Sequence, residues 1–378
     1  MGLLDESQAE RLLATFLDLV RIDSPSGSES ACSAYCAQAL AEAGCDVRFD
    51  DSAGVTGSDT GNLIAELSGT TGRTLLLSAH MDCVEPCRGV EPAVKDGVVV
   101  SAGETVLGAD DKAGLAAAIE CVRILSGRVG PRPAVRCVFT VKEEVGLTGA
   151  KALAREDVEC DLCLVLDADG APGGIVVAAP THYTFSASFV GRAAHAGVSP
   201  EAGVSAVAMA AAAVARLRIG RIDEVSTANV GSITGGGATN IITAQVDITG
   251  ECRSIDRNRV EEIKSEMTSV MEEEARRAGG AVKVAWSLEY EGFALSDDAP
   301  PVVLVSAACD SLGLEPVTFS TGGGSDANII AAHGVPTLAL SCGMSGVHGT
   351  DENIRVADLE ALTALCVAVA AGLAEGPY

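Results

Sequence analysis

The sequence predicts an α/β protein: an α/β/α catalytic domain interrupted by an inserted ferredoxin-like α+β lid. Three observations carry this reading. Strand and helix patterns alternate from the N-terminus to about Pro180. The order then becomes strand, helix, two strands, helix, strand. After about Phe293 the buried α/β rhythm resumes. A chain of 378 residues is comfortable for two domains. The parse assigns 1–180 and 292–378 to the catalytic domain and 181–291 to the lid, with no internal repeat.

Each element has a local reason. Asp5–Val20 has helical apolar periodicity, as does Ser28–Ala43, which Gly44 stops. Asn62–Leu67 and Thr74–Ala79 read as buried strands, and Ala93–Val100 as a hairpin turning at Lys95-Asp96-Gly97. A helix over Lys112–Leu125 and a loop at Gly127–Pro133 lead to the strand Val135–Val141, a short helix Gly149–Ala154 and the strand Leu162–Leu166. This alternation argues for a largely parallel sheet. In the lid, Tyr183–Val190 alternates as a half-exposed strand. The helix Gly203–Leu217, strands Thr227–Ile233 and Ala244–Cys252, helix Arg257–Ala278 and strand Ala281–Tyr290 follow. The remainder reads as helix Pro301–Leu312, strand Val317–Phe319, helix Asp326–His333, strand Thr337–Leu340 and helix Asp358–Leu373.

Composition excludes some functions. A net charge of −26, with 26 basic against 52 acidic residues, opposes nucleic-acid binding. The 13 cysteines, an odd number, are scattered along the chain without zinc-ribbon spacing, Cys121, Cys137 and Cys163 among apolar neighbours, and fit a reducing cytosol. The first twenty residues lack the pattern of a signal peptide. No apolar stretch reads as a membrane span; Val204–Leu217 and Leu359–Leu373 read as buried helices. The expectation is a cytoplasmic protein without nucleic-acid or membrane partners.

The chemistry sits where the apolar runs end, at strand C-termini, where open α/β sheets place their sites. Thr74–Ala79 runs into His80-Met81-Asp82, Leu107-Gly108-Ala109 into Asp110-Asp111-Lys112, and Val135–Val141 towards Glu143-Glu144. Leu162–Leu166 ends at Asp167, and His348 stands in Gly346-Val347-His348-Gly349. His80, Asp110, Glu144, Asp167 and His348 supply enough nitrogen and oxygen donors for two zinc ions sharing a carboxylate. Asp82, two residues past His80 on an extended segment, is placed to receive the second ring N–H of that histidine. Glu143 points away from Glu144 and suits a general base. Asp169 competes with Asp167 for the ligand position, and Asp167 is preferred because it ends the strand directly. Alone, each motif has a plainer explanation: a capped strand end, a solvated acidic face, or a helix N-cap at Asp110-Asp111. Their coincidence at consecutive strand ends favours the metal.

His80-Met81-Asp82, Gly108-Ala109-Asp110-Asp111-Lys112-Ala113-Gly114, Lys142-Glu143-Glu144-Val145-Gly146 and His348, in this order, resemble the co-catalytic dizinc exopeptidases. That family spans peptidase T, carboxypeptidase G, succinyl-diaminopimelate desuccinylase and aminoacylase. The wording is closest to the peptidase T branch. The resemblance implies a phosphorylase/hydrolase-like α/β/α domain with a ferredoxin-like lid that serves dimerisation. It implies two divalent ions, most simply zinc, with cobalt or manganese possible. Asp110 would bridge them, His80 and Asp167 would complete one site, and Glu144 and His348 the other. Glu143 would be the base, and the Asp110–Asp111 peptide would be cis. In the lid, Gly191-Arg192-Ala193-Ala194-His195-Ala196-Gly197 resembles the segment whose histidine reaches the oxyanion from a neighbouring subunit. Asn240 and Arg253 match substrate-binding positions, and Thr321-Gly322-Gly323-Gly324 would line the substrate cleft. The implied activity is hydrolysis of short peptides by a tripeptide aminopeptidase. A carboxypeptidase or N-acyl amino acid deacylase of the same architecture is the alternative, and a non-catalytic binding protein a remoter one. His182 and His333 match no ligand position.

Overall fold

The computed structural model of the chain describes residues 3–376. They form two compact units. The first runs to Val177 and resumes over Leu295–Ser320 and from Ser325; the second holds Ala178–Ala294 and Thr321–Gly324.

The first unit is built on a mixed sheet. Its order across the centre is Leu63–Leu67, Ala134–Thr140, Thr74–His80, Leu162–Ala168, Thr337–Ser341, Gly174–Ala179. Four of these, from Ala134–Thr140 to Thr337–Ser341, are mutually parallel. Their neighbours on either side are antiparallel. The sheet is thus parallel only at its centre, a narrower parallel region than strand–helix alternation suggests. Asp46–Phe49 adds an antiparallel edge strand that the sequence pattern does not flag. It is short and mostly exposed, so it carries no buried apolar signal.

Side-chain alternation sorts the layers. Leu75, Leu77 and Ala79 join Val135, Cys137, Phe139, Leu162, Leu164 and Leu166 in one core with the helices Glu6–Arg21, Ser30–Glu42, Ala109–Ser126 and Val356–Glu375. On the other face the helix Asp326–Ala332 sits on the central strands, Asp326 accepting a hydrogen bond from Thr140. The N-terminal helix is closed by Asp5 in a capping box with Gln8. The last helix, Val356–Glu375, is longer than the run Leu359–Leu373 read from the sequence and is long and apolar enough to cross a bilayer by length and composition alone. In this unit its Leu359, Leu362, Leu365, Cys366, Val369 and Leu373 are packed in the core. The expected helix over Gly149–Ala154 is a single turn, Thr148–Lys151, followed by a separate turn at Arg155–Val158. The new turn starts where the Ala154 N–H donates to the Asp157 carboxylate.

A small second sheet pairs the Pro92–Lys95 and Val98–Ser101 hairpin with Asn353–Arg355, which pairs in turn with Met344–Ser345. The turn between these last two strands carries His348.

Gly114 shows how tightly the helix Ala109–Ser126 is seated. A Cβ there would stand 2.4 Å from Asp111 Oδ1 and 2.5 Å from the Leu166 carbonyl. Backbone on one side and a buried carboxylate on the other leave nothing free to yield. Gly114→Ala is therefore expected to destabilise the protein by about 1–3 kcal/mol, read as a lowered denaturant midpoint. An unchanged midpoint would mean the helix can shift off the Leu162–Ala168 strand without penalty.

The second unit is a sheet in the order Gly220–Asp223, Ser226–Gly235, Gln245–Ser254, Thr181–Val190, Ala281–Tyr290, all antiparallel. Without the added edge strand Gly220–Asp223, this is the ferredoxin-like order. Phe185, Ala187 and Phe189 face the helices Ala206–Arg216 and Arg257–Arg277, where Met209, Ala213, Ile263, Met267 and Met271 complete a separate core.

Candidate metal centre

The parallel strands bring their C-terminal ends to one place. His80 is the last residue of Thr74–His80, paired in register with Thr140. Its Nε2 lies 2.9 Å from Asp110 Oδ1 and 3.7 Å from Asp167 Oδ1. The other oxygen of Asp110 lies 3.3 Å from His348 Nε2, which is also 3.1 Å from Glu144 Oε2. Asp110 therefore turns one oxygen to each half of the cluster. His80, Asp110 and Glu144 offer ligand atoms within 4.8 Å of one another, as do His80, Asp111 and Asp167. Asp111 is engaged elsewhere: its Oδ2 accepts the His80 N–H and its Oδ1 the Gly114 N–H. Asp167 is largely covered, whereas Asp169 is exposed. The peptide between Asp110 and Asp111 is cis.

Asp82 organises the neighbourhood. The Nδ1 of His80 is 2.9 Å from the Asp82 carbonyl oxygen and 3.4 Å from its Oδ1. A proton on Nδ1 donated there leaves the Nε2 lone pair facing Asp110 and Asp167. The Asp82 carboxylate accepts the Ser26 hydroxyl (2.6 Å) and the N–H groups of Glu143 (2.9 Å) and Glu144 (3.3 Å). The strand that carries His80 and the turn that carries both glutamates are thus tied through one buried carboxylate.

Glu352 is a participant that sequence reading missed. It is buried, and its two oxygens accept the N–H groups of Gly108 (2.7 Å) and Asp110 (2.9 Å). It shares its turn with His348, so the turn and the Asp110 segment are held together. No local pattern announces a contact between residues so far apart in sequence. Asp326 is the second omission: buried, with one oxygen on Thr140 and the other lacking a hydrogen-bond partner among the described residues.

The cluster is electrostatically tense. Burial pushes Glu144 up to about 7 and Asp326 up to about 7. It pushes Asp167 up to about 6. Glu143 is held well above the carboxylate range by burial and then by the Asp167 charge. Asp110 goes the other way: burial opposes ionisation, but hydrogen bonds from His348 and His80 hold it well below the usual range. His348 is raised to about 9, chiefly by its hydrogen bond to Asp110. So many buried carboxylates around two imidazoles lack positive charge, and Glu144 Oε1 is buried without a hydrogen-bond partner among the described residues. Oxygen and imidazole donors, excess negative charge and an orphaned oxygen fit divalent cations.

The second unit holds the remaining candidates. His195 is exposed; its Nδ1 accepts the Gly197 N–H at 3.2 Å. Asn240 is exposed too, and its carbonyl accepts the Ala196 N–H, which sets it beside the His195 segment. Arg253 already has partners: its Nε and Nη2 donate to the two oxygens of Glu251 (3.3 and 2.8 Å) and its Nη1 to Tyr290 Oη (3.2 Å). Glu251 also meets His182 Nε2 at 2.7 Å, and His182 packs against the Tyr290 ring. Gly323 is exposed and donates its N–H to Thr321 Oγ1.

Comparison with known proteins agrees with this architecture. The crystal structure of aminopeptidase PepT from Bacillus cereus ATCC 10987 is 40% identical, with a TM-score of 0.93 over 99% of this chain and 100% of that one. A tripeptidase from Staphylococcus aureus subsp. aureus Mu50 is 38% identical, with a TM-score of 0.93 over 97% and 99%. The YqjE protein of Bacillus subtilis (strain 168) is 40% identical over 95% of this chain and 97% of its own. Residues 76–371 match peptidase family M20/M25/M40. The chain belongs to that family and is a metal-dependent hydrolase acting on peptides.

Proposed function

We propose that the chain is a tripeptide aminopeptidase that works with two divalent metal ions. The observation that carries the substrate reading is the likeness to PepT and to the tripeptidase, 40% and 38% identical along nearly the whole chain. Asp110 would be shared between the two ions, with His80 and Asp167 on one side and Glu144 and His348 on the other. When bound, such ions polarise a carbonyl oxygen and ease deprotonation of water.

The chain's own groups do the rest. Asp82 holds the His80 tautomer and the backbone of the glutamate turn. Glu143 removes the proton from the attacking water at a carboxylate oxygen and returns it to the departing amine nitrogen. Its position suits the exchange, since it is buried on the turn beside Glu144 and its backbone is held by Asp82. His195 would stabilise the oxyanion, and Arg253, Asn240 and the Gly323 stretch would hold the substrate. Arg253 would bind a carboxylate with donors left over from, or surrendered by, Glu251. A homodimer formed through the second unit would bring a partner's His195 into use. The thirteen cysteines, all free thiols, fit a cytoplasmic setting.

The test is release of free amine from Ala-Ala-Ala and from its N-acetylated form, with zinc, cobalt or manganese supplied. Cleavage of the free-amine peptide alone is expected. Cleavage of the blocked peptide alone would replace the aminopeptidase reading with a deacylase or carboxypeptidase. Silence on both, with metal bound, would refute the tripeptide assignment.

A further inference from the structure

We propose that Glu29 is a positioning residue for Glu143, acting through the backbone of the turn that carries it. The proposal rests on the reading of Glu143 as the base. Glu29 lies in the loop before the helix Ser30–Glu42, 113 residues from the turn it holds, and its side chain has no solvent exposure. One oxygen accepts the N–H groups of Gly27 (2.7 Å) and Lys142 (3.1 Å), and the other the Ser58 hydroxyl (2.5 Å). These partners are all uncharged. A carboxylate taken out of water onto neutral donors is an expensive way to brace a loop, and the placement shows what the brace holds.

Lys142, Glu143 and Glu144 present three successive N–H groups to two buried carboxylates. Lys142 donates to Glu29, and Glu143 and Glu144 donate to Asp82. Lys142 adopts φ +52°, a conformation unfavourable to a residue with a Cβ. Its side chain is fixed as well, Nζ donating to the Thr56 carbonyl at 2.8 Å. Asp82 reaches the same loop through Ser26, and Cys83 N–H donates to the Ser24 carbonyl. The loop 24–29 is therefore a bracket. Ser26 steadies the Asp82 carboxylate and Glu29 steadies the entry to the glutamate turn. With the Glu29 carboxylate gone, the Lys142 N–H would lose its acceptor and the left-handed residue could relax. The base would then lose one of the two anchors of its turn, with Asp82 left to hold the Glu143 and Glu144 N–H groups and so keep Glu144 in the metal cluster.

A misplaced base slows the proton transfers and leaves substrate binding alone, so kcat should change and KM should not. Glu29→Ala is expected to lower kcat about 10–100-fold, the usual effect of removing a partner that orients a working group. KM and metal content should hold. Glu29→Gln keeps an oxygen for the two N–H groups and an amide facing Ser58, and is expected to restore kcat to within about twofold of wild type. Glu29→Asp keeps the charge but falls short of Lys142 by one methylene, and should resemble the alanine variant in kcat while folding more readily.

The proposal is overturned if Glu29→Asp, or a folded Glu29→Ala, turns over at the wild-type rate. It is also overturned if the loss of activity follows a loss of metal or a rise in KM. Glu143→Gln, assayed alongside, separates the two readings. If that variant stays active, the assignment of the base fails, and the role of Glu29 with it. If it is inactive while the Glu29 variants are fully active, only the positioning role fails.

Discussion

Replacing Glu143 with glutamine is expected to lower turnover by about two to four orders of magnitude while the chain keeps its metal. The argument is one of geometry and charge. Glu143 and Glu144 are adjacent, but only Glu144 lies within 3.1 Å of His348 and shares ligand-atom range with His80 and Asp110. The Glu143 backbone is pinned by Asp82, and its buried side chain carries a proton affinity raised well above a free carboxylate's. Glutamine preserves the shape and the backbone hydrogen bond and removes only the ability to accept and release a proton. Metal analysis and steady-state kinetics on the same preparation decide the matter. Near-normal kcat would remove Glu143 from the mechanism. A parallel loss of metal would make it a ligand instead of a base.

The contrast between those two neighbouring glutamates also shows what a sequence can and cannot disclose. Asp110 departs from the expected strand end and lies in the first turn of the helix Ala109–Ser126. His80, Asp167 and Glu144 do stand at or just beyond the ends of apolar strands, and a parallel strand delivers its end to the C-terminal edge of the sheet. Hydrophobic patterning is therefore enough to gather them. His348 has no such run behind it; it sits in a turn between two very short strands, and only the family resemblance selects it. Glu29, Asp326 and Glu352 left no trace at all in the pattern. Each is a buried acid serving a backbone or hydroxyl donor far away in the chain, and a lone acidic letter in a polar loop or at a helix start looks like a solvated one. The mixed character of the sheet was hidden because a buried strand has the same pattern whichever way it runs: Leu63–Leu67 and Gly174–Ala179 are apolar and largely buried, yet both pair antiparallel. Exposed edge strands such as Asp46–Phe49 and Gly220–Asp223 have no apolar face to announce them. Arg253 was legible as a cation on a strand, and Glu251 stands two residues before it on the same strand, but its contact with Tyr290 depends on the register of a different strand.

Removing the Asp110 carboxylate should be the most damaging change to the metal centre. Asp110 is the one side chain in the cluster, among the described residues, whose two oxygens face different histidines, Oδ1 towards His80 and Oδ2 towards His348. Those contacts also hold its carboxyl well below the usual range, in the charged form. Asp110→Ala is expected to lose both ions and to fall in activity well beyond the roughly 10–100-fold typical of losing an orienting partner. The same loss should appear in thermal unfolding. A ligand that binds only the folded state raises stability by about 2.7 kcal/mol at a hundred times its dissociation constant, so the wild-type chain should melt higher with metal than after chelation. In Asp110→Ala that increment should vanish. His348→Ala is the informative comparison: His348 is 54% exposed and touches only one of the two oxygens, so its loss should spare part of the metal and part of the thermal increment. If Asp110→Ala keeps both ions and the full increment, Asp110 cannot be the shared ligand. If His348→Ala is as severe as Asp110→Ala, the two halves of the cluster load as one unit.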